Sequence, residues 1–188
     1  MKNEKKDFDD LTFTIDTPEE VIEQHGLECD KCNQCCKVDA GIVLQEDLQR
    51  IADYLQIPVE ELKNEFLVEH EKFNTKVWKL KQLKEKDKPY GPCVFLKEDK
   101  GCVIHEVKPK HCKLCSTKSK HGEKLSIWFA LNYLVNKDDP ESIRQWASYL
   151  KTHPTIPGGE LQELIDDPEK LKKILSYEYL KENKEMNE

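Results

Sequence analysis

The stretch Cys29-Asp30-Lys31-Cys32-Asn33-Gln34-Cys35-Cys36 places four thiols within eight residues, and the rest of the chain has to be read around it. Its company is polar and turn-rich, whereas inert core thiols scatter through apolar segments. A second window repeats the density: Cys93, Cys102, Cys112 and Cys115 complete the eight cysteines of the sequence. Two residues between cysteines let one turn aim both sulfurs at a shared metal while the amides of the turn donate to the thiolates. Cys29/Cys32, Cys32/Cys35 and Cys112/Cys115 meet that condition, and all eight cysteines are candidate metal ligands. Disulfides are the competing use of an even number of thiols. The N-terminus lacks an apolar signal core, and 188 residues can bury enough surface to fold without cross-links, so reduced thiols are expected.

The choice of metal turns on details of the first window. Zinc takes a closed cage of four ligands, here two pairs from distant sequence. The run Cys29-x2-Cys32-x2-Cys35 resembles the run of bacterial ferredoxins, although the spaced fourth cysteine and following proline of that pattern are replaced by Cys36 directly after Cys35. An iron-sulfur cluster of the four-iron four-sulfur type is the favoured cofactor, with zinc as the alternative. Neighbouring side chains diverge, so Cys35 and Cys36 either feed two sites or divide into one ligand and one buried or reactive thiol. His105, three residues after Cys102, and His111, next to Cys112, are read as neighbours of the site, since thiols are plentiful. His25 and His121 carry a weaker signal, and His70 and His153 none.

Working outward, residues 1–16 read as a flexible charged arm, in which Phe8, Leu11, Phe13 and Ile15 could form an edge strand. Residues 17–188 read as a single cysteine-rich metal-binding domain with a helical C-terminal part. Thr17-Pro18 opens a helix over 18–25 that Gly26 closes. Gly41 to Leu44 is extended, a helix follows near 46–55, and Pro58 opens another with Val59, Leu62, Phe66 and Leu67 on one side. Residues 76–83 alternate imperfectly, and 94–96 with 102–104 frame Lys97 to Gly101 as a hairpin. Helices are expected from Leu125 to Val135, after Asp139-Pro140, over 160–165 and after Asp167-Pro168, the last with an apolar stripe at Leu171, Ile174, Leu175 and Leu180. The fold class is mainly α with a minor antiparallel β element, a small irregular metal-centred domain.

Composition limits the partners. Asp, Glu, Lys and Arg make up 36% of the residues and the net charge is −7, which argues against a general nucleic-acid or anionic-membrane binder. Lys108, Lys110, Lys113, Lys118, Lys120 and Lys124 read as a solvated surface near the metal site. The apolar stretch from Ile127 to Val135 is broken by Asn132 and is about half of a membrane span. A cytoplasmic protein is expected.

Three segments in order resemble the YkgJ-like or CxxCxxCC family of zinc- or iron-chelating proteins: Cys29 to Cys36, then Pro92-Cys93-Val94-Phe95-Leu96, then Cys102-Val103-Ile104-His105-Glu106-Val107-Lys108-Pro109-Lys110-His111-Cys112-Lys113. The family pattern is roughly CxxCGxCC, PCxFL and CxIYExRPxxCR. Here its glycine is Asn33, its tyrosine His105 and its two arginines Lys108 and Lys113, and a lysine lacks the flat bidentate contact of an arginine. Cys115 lies beyond this pattern. The cysteine-rich signature is also similar to that of flagellin lysine N-methylases, far longer enzymes, and this likeness implies an iron-sulfur cluster used with S-adenosylmethionine.

Three functions stay open at this point. The chain is a metalloprotein in electron transfer or cluster handling with a protein or redox partner, a metal-dependent protein-lysine methyltransferase, or a structural zinc fold for protein interaction. No phosphate-binding glycine loop, GxSxG elbow or HExxH motif is present, so no catalytic residue is assigned.

Overall fold

The computed structural model describes residues 12–178 apart from 27–28, 30, 85–87 and 116–118. Helices dominate. They are α1 (Glu19–His25), α2 (Gln34–Val38), α3 (Gln45–Leu55), α4 (Val59–Phe66), α5 (Lys110–Leu114), α6 (Gly122–Tyr133), α7 (Pro140–Leu150), α8 (Leu161–Leu164) and α9 (Pro168–Leu175). The strands are β1 (Ile42–Val43), β2 (Leu67–Lys72), β3 (Thr75–Leu80), β4 (Leu96–Lys97) and β5 (Gly101–Cys102). This is the expected mainly α fold with small antiparallel sheets.

The organising element is α6. It buries Leu125, Ile127, Trp128, Phe129, Ala130 and Leu131, residues that circle the helix and so demand neighbours on every side. Phe13, Ile22, Phe73, Leu114 and Trp146 supply them. A second core lies between α3, α4 and the three-stranded sheet, where Leu48, Ile51, Ala52, Leu62, Leu67 and Leu80 meet Cys93, Phe95 and Ile104. The sheet has the order β1-β3-β2, both pairs antiparallel, with Val43 opposite Trp78 and His70 opposite Val77. The helices opened by Asp-Pro form as the sequence requires: Asp139 accepts from Glu141 N–H, and Asp167 from Glu169 and Lys170 N–H, each with proline in the first turn.

Several expectations need correcting. Of the supposed arm, residues 12–16 are docked, because Phe13 is 1% exposed and Ile15 N–H donates to Pro157 O at 2.9 Å. Gly158, at φ +88, leaves room for Ile15, whose Cγ2 would stand 2.2 Å from a Cβ there. Phe8, Leu11 and Leu180 lie outside the described residues. Thr17 does not cap α1; its Oγ1 accepts from Thr14 N–H at 2.8 Å and the helix starts on Pro18 without a side-chain cap. Leu67 ends α4 and opens β2, a strand the charges of Glu69, Glu71 and Lys72 hide. Its hairpin with β3 turns on Phe73 (φ 52) and Asn74 (φ 57), the left-handed pair that a two-residue turn needs. The buried ring of Phe73, edge-on to Trp146 at 5.3 Å, anchors that turn where glycine would be usual.

Lys110 is not a solvated lysine either. Its residue is 8% exposed, and its Nζ meets Glu19 at 2.5 Å, Glu46, and the Tyr133 hydroxyl at 2.9 Å, which in turn donates to Glu19 at 2.5 Å. The cluster straps α1, α3, α5 and α6 together behind the cysteines. Lys118 is outside the described residues.

Candidate metal centre

All eight cysteines line one cavity of about 120 Å³, several times what one water needs. The first window enters after α1. Lys31 (φ 56) and Asn33 (φ 61) adopt left-handed backbone, which bends the loop so that α2 presents Cys35 and Cys36. Asparagine tolerates that conformation better than most other non-glycine residues. The loop rests on the hairpin of the second window: a Cβ at Gly101 would lie 3.5 Å from Asn33 Oδ1.

A backbone seam joins the two windows. Cys93 N–H donates to Cys36 O at 2.7 Å, while Leu83 N–H to Pro92 O (2.8 Å) and Val94 N–H to Lys81 O (2.9 Å) tie the Cys93 segment to the chain beyond β3. β4 and β5 pair Leu96 with Cys102. A 3-10 turn, His105–Val107, then leads to α5, which carries Cys112 and ends on Cys115. Gly41, just before β1, faces Cys112 so closely that a Cβ would lie 2.2 Å from its Sγ. The remaining wall includes Leu80, Ile104 and Pro109, with Asn33, Gln34, Asp39, His105, Lys108 and His111 as its polar members.

Burial favours the neutral S–H form at Cys36, Cys93, Cys102, Cys112 and Cys115. Burial pushes Cys36 up to about 12, reinforced by Cys102, Cys93, Cys35 and Cys29. Burial takes Cys93 to about 11 against N–H bonds from Phe95 and Leu96, and Cys115 to about 11 against the Ser126 hydroxyl. Cys112 is raised well above its ordinary value by burial and by Cys93, Cys36, Cys102 and Cys115. Cys102 is raised by burial, offset by the Ile104 N–H and Lys108. Cys36, Cys93, Cys102 and Cys112 are linked through one another's electrostatic surroundings, with Cys29 contributing at Cys36 and Cys102, Cys35 at Cys36 and Cys115 at Cys112. His111 packs edge-on against Phe129 at 5.0 Å, and burial lowers it to about 4, so its imidazole is neutral.

The two expected windows therefore come together, and Cys35 and Cys36 line the same space despite their divergence. Among the described residues, no three His, Cys, Asp or Glu side chains close on a point as ligands of a single ion. The thiols surround a volume instead. Gly41 was read only as the start of an extended segment and not as part of the site, although it is the one glycine between Gly26 and Gly91. The wall residue Asp39 escaped the sequence reading, since its type says nothing of sulfur.

No helix among the described residues is long and apolar enough to cross a membrane. No solved structure matches the chain. An uncharacterized protein of Methanocaldococcus jannaschii is 33% identical over 135 residues, covering 69% of this chain and 63% of that protein. The chain thus spans somewhat less than two thirds of the length of this relative. The model of the CxxCxxCC family, described as a zinc- or iron-chelating domain, matches residues 28–130, the segment that holds every cavity cysteine. With more than half of its length in that match, the chain belongs to the CxxCxxCC family.

Proposed function

We propose that the cavity holds a four-iron four-sulfur cluster through thiolates of both windows, led by Cys36, Cys93, Cys102 and Cys112, and that the protein serves electron transfer or cluster handling in the cytoplasm. The observation that carries this reading is the volume. In a zinc cage with sulfurs about 2.3 Å from the ion, neighbouring sulfurs sit about 3.8 Å apart and leave no room between them. Eight thiols around about 120 Å³ suit a polynuclear group with sulfide of its own.

When bound, such a cluster supplies one-electron chemistry. The residues of the chain supply its setting. N–H groups of Phe95 and Leu96 at Cys93, and of Ile104 at Cys102, favour the thiolate form that ligation requires. Leu80, Ile104 and Pro109 give the cavity an apolar wall, and Lys108 sets a positive charge near Cys102.

The test is anaerobic preparation with iron and sulfide, followed by metal and sulfide analysis and a visible spectrum. The expected result is a brown protein with iron and acid-labile sulfide in equal amounts. Serine at Cys36, Cys93, Cys102 or Cys112 should abolish the colour, whereas Cys32→Ser should retain most of it. A colourless protein carrying stoichiometric zinc would sink the cluster reading and leave the zinc one standing.

A further inference from the structure

His105 opens the 3-10 turn that follows β5, with Ile104 before it fully buried and Val107 N–H closing the turn on Ile104 O at 3.0 Å. The ring forms part of the wall of the cysteine cavity. Its Nε2 atom is buried and has no hydrogen-bond partner among the described residues. A buried ring nitrogen without a partner is an exception in folded proteins and points to a group that completes it. The other ring nitrogen, Nδ1, stands 3.7 Å from Glu106 Oε1, near that exposed carboxylate but beyond hydrogen-bond distance. Metal-bound histidines commonly carry a partner on the far side of the ring, and Glu106 is the carboxylate nearest that side here. Cys102 and His105 are also separated by two residues, the spacing at which one turn brings two donor side chains to the same metal centre.

We propose that His105 Nε2 is a ligand of the metal centre beside Cys102, so that the centre has mixed sulfur and nitrogen ligation. The inference rests on the metal reading above but adds a donor that the cysteine pattern does not contain. Tyrosine, which the family pattern carries at this position, offers no imidazole lone pair, so the nitrogen ligand distinguishes this chain within the pattern. Nitrogen in place of purely sulfur ligation raises a cluster's reduction potential, as in two-iron centres held by two histidines and two cysteines.

The experiment uses the full chain labelled with 15N-histidine, loaded anaerobically with iron and sulfide, reduced, and read by pulsed electron paramagnetic resonance. The expected result is a nitrogen coupling that changes with the isotope and is lost in His105→Ala and His105→Tyr, while both variants keep their iron content. His105→Tyr retains a packed ring, which separates loss of the ligand from loss of the fold. No isotope-sensitive coupling in the wild type, or one that persists in both variants, overturns the proposal. If the wild type instead takes up zinc and shows no iron-sulfide absorption, the cluster reading has failed by itself. X-ray absorption at the zinc edge then decides His105: nitrogen at about 2.0–2.1 Å beside sulfur at about 2.3 Å supports it, and sulfur alone overturns it.

Discussion

Gly41 and Asn33 carry the tightest single-residue constraints on the cavity. With a Cβ at position 41 only 2.2 Å from Cys112 Sγ, Gly41→Ala must displace a buried thiol, the kind of overpacking that costs about 1–3 kcal/mol. The expected outcome is a lower denaturation midpoint together with reduced metal content; unchanged metal content would mean that Cys112 is dispensable. At Asn33, φ is 61. Asn33→Gly should leave stability within a few tenths of a kcal/mol, and Asn33→Ala should cost about 1–2 kcal/mol, as measured by urea unfolding. The cysteines were legible in the sequence because their spacing is itself chemistry. Gly41 was not, because its role depends on a sulfur some seventy residues away.

Among the elements, the helices with explicit punctuation were the easiest to read: Asp139-Pro140 and Asp167-Pro168 open α7 and α9 where the residues say they should. Strand β2 was hidden by solvent-facing charge and by a turn built on Phe73 and Asn74. The strap on Lys110 was hidden too, since a lysine among lysines reads as surface until α1, α3 and α6 converge on it. Lys110→Met removes the shared cation from Glu19, Glu46 and Tyr133. Because Glu46 is more than half exposed and its interaction is screened, a loss of about 1–3 kcal/mol is expected by thermal unfolding, smaller at high salt. Glu19 has an acid signature of its own. Burial raises its carboxyl, but the Lys110 and Tyr133 bonds outweigh burial and hold it below 4.5. Its contribution is present above that value, is lost as pH falls through the lowered one, and should shrink in Lys110→Met, where only Tyr133 and Lys113 still lower it.

For the whole molecule, the raised thiols make metal uptake and folding respond to pH in opposite directions. The ordinary thiol value is 9.0, and Cys36, Cys93 and Cys115 are raised to about 12, 11 and 11. A group whose value is raised by folding stabilises the fold below its unfolded value and loses that contribution as pH rises through the folded one. The metal-free protein should therefore weaken from about pH 9 upward. Metal binding displaces those protons, so affinity should rise with pH, and calorimetry in buffers of different ionisation enthalpy should count the protons released. Equal binding enthalpies in all buffers would contradict the S–H state.

The seam between Cys93 N–H and Cys36 O closes a loop of nearly sixty residues by backbone alone. A metal gripping both windows clips a ring that the chain has already closed. By analogy with a covalent cross-link over the same span, the clip restricts the unfolded ensemble by about 4 kcal/mol, and it acts after the barrier to folding rather than before it. Its kinetic mark is then asymmetric: loading should slow unfolding severalfold or more and leave the refolding rate of the bare chain as the rate at which the vessel forms.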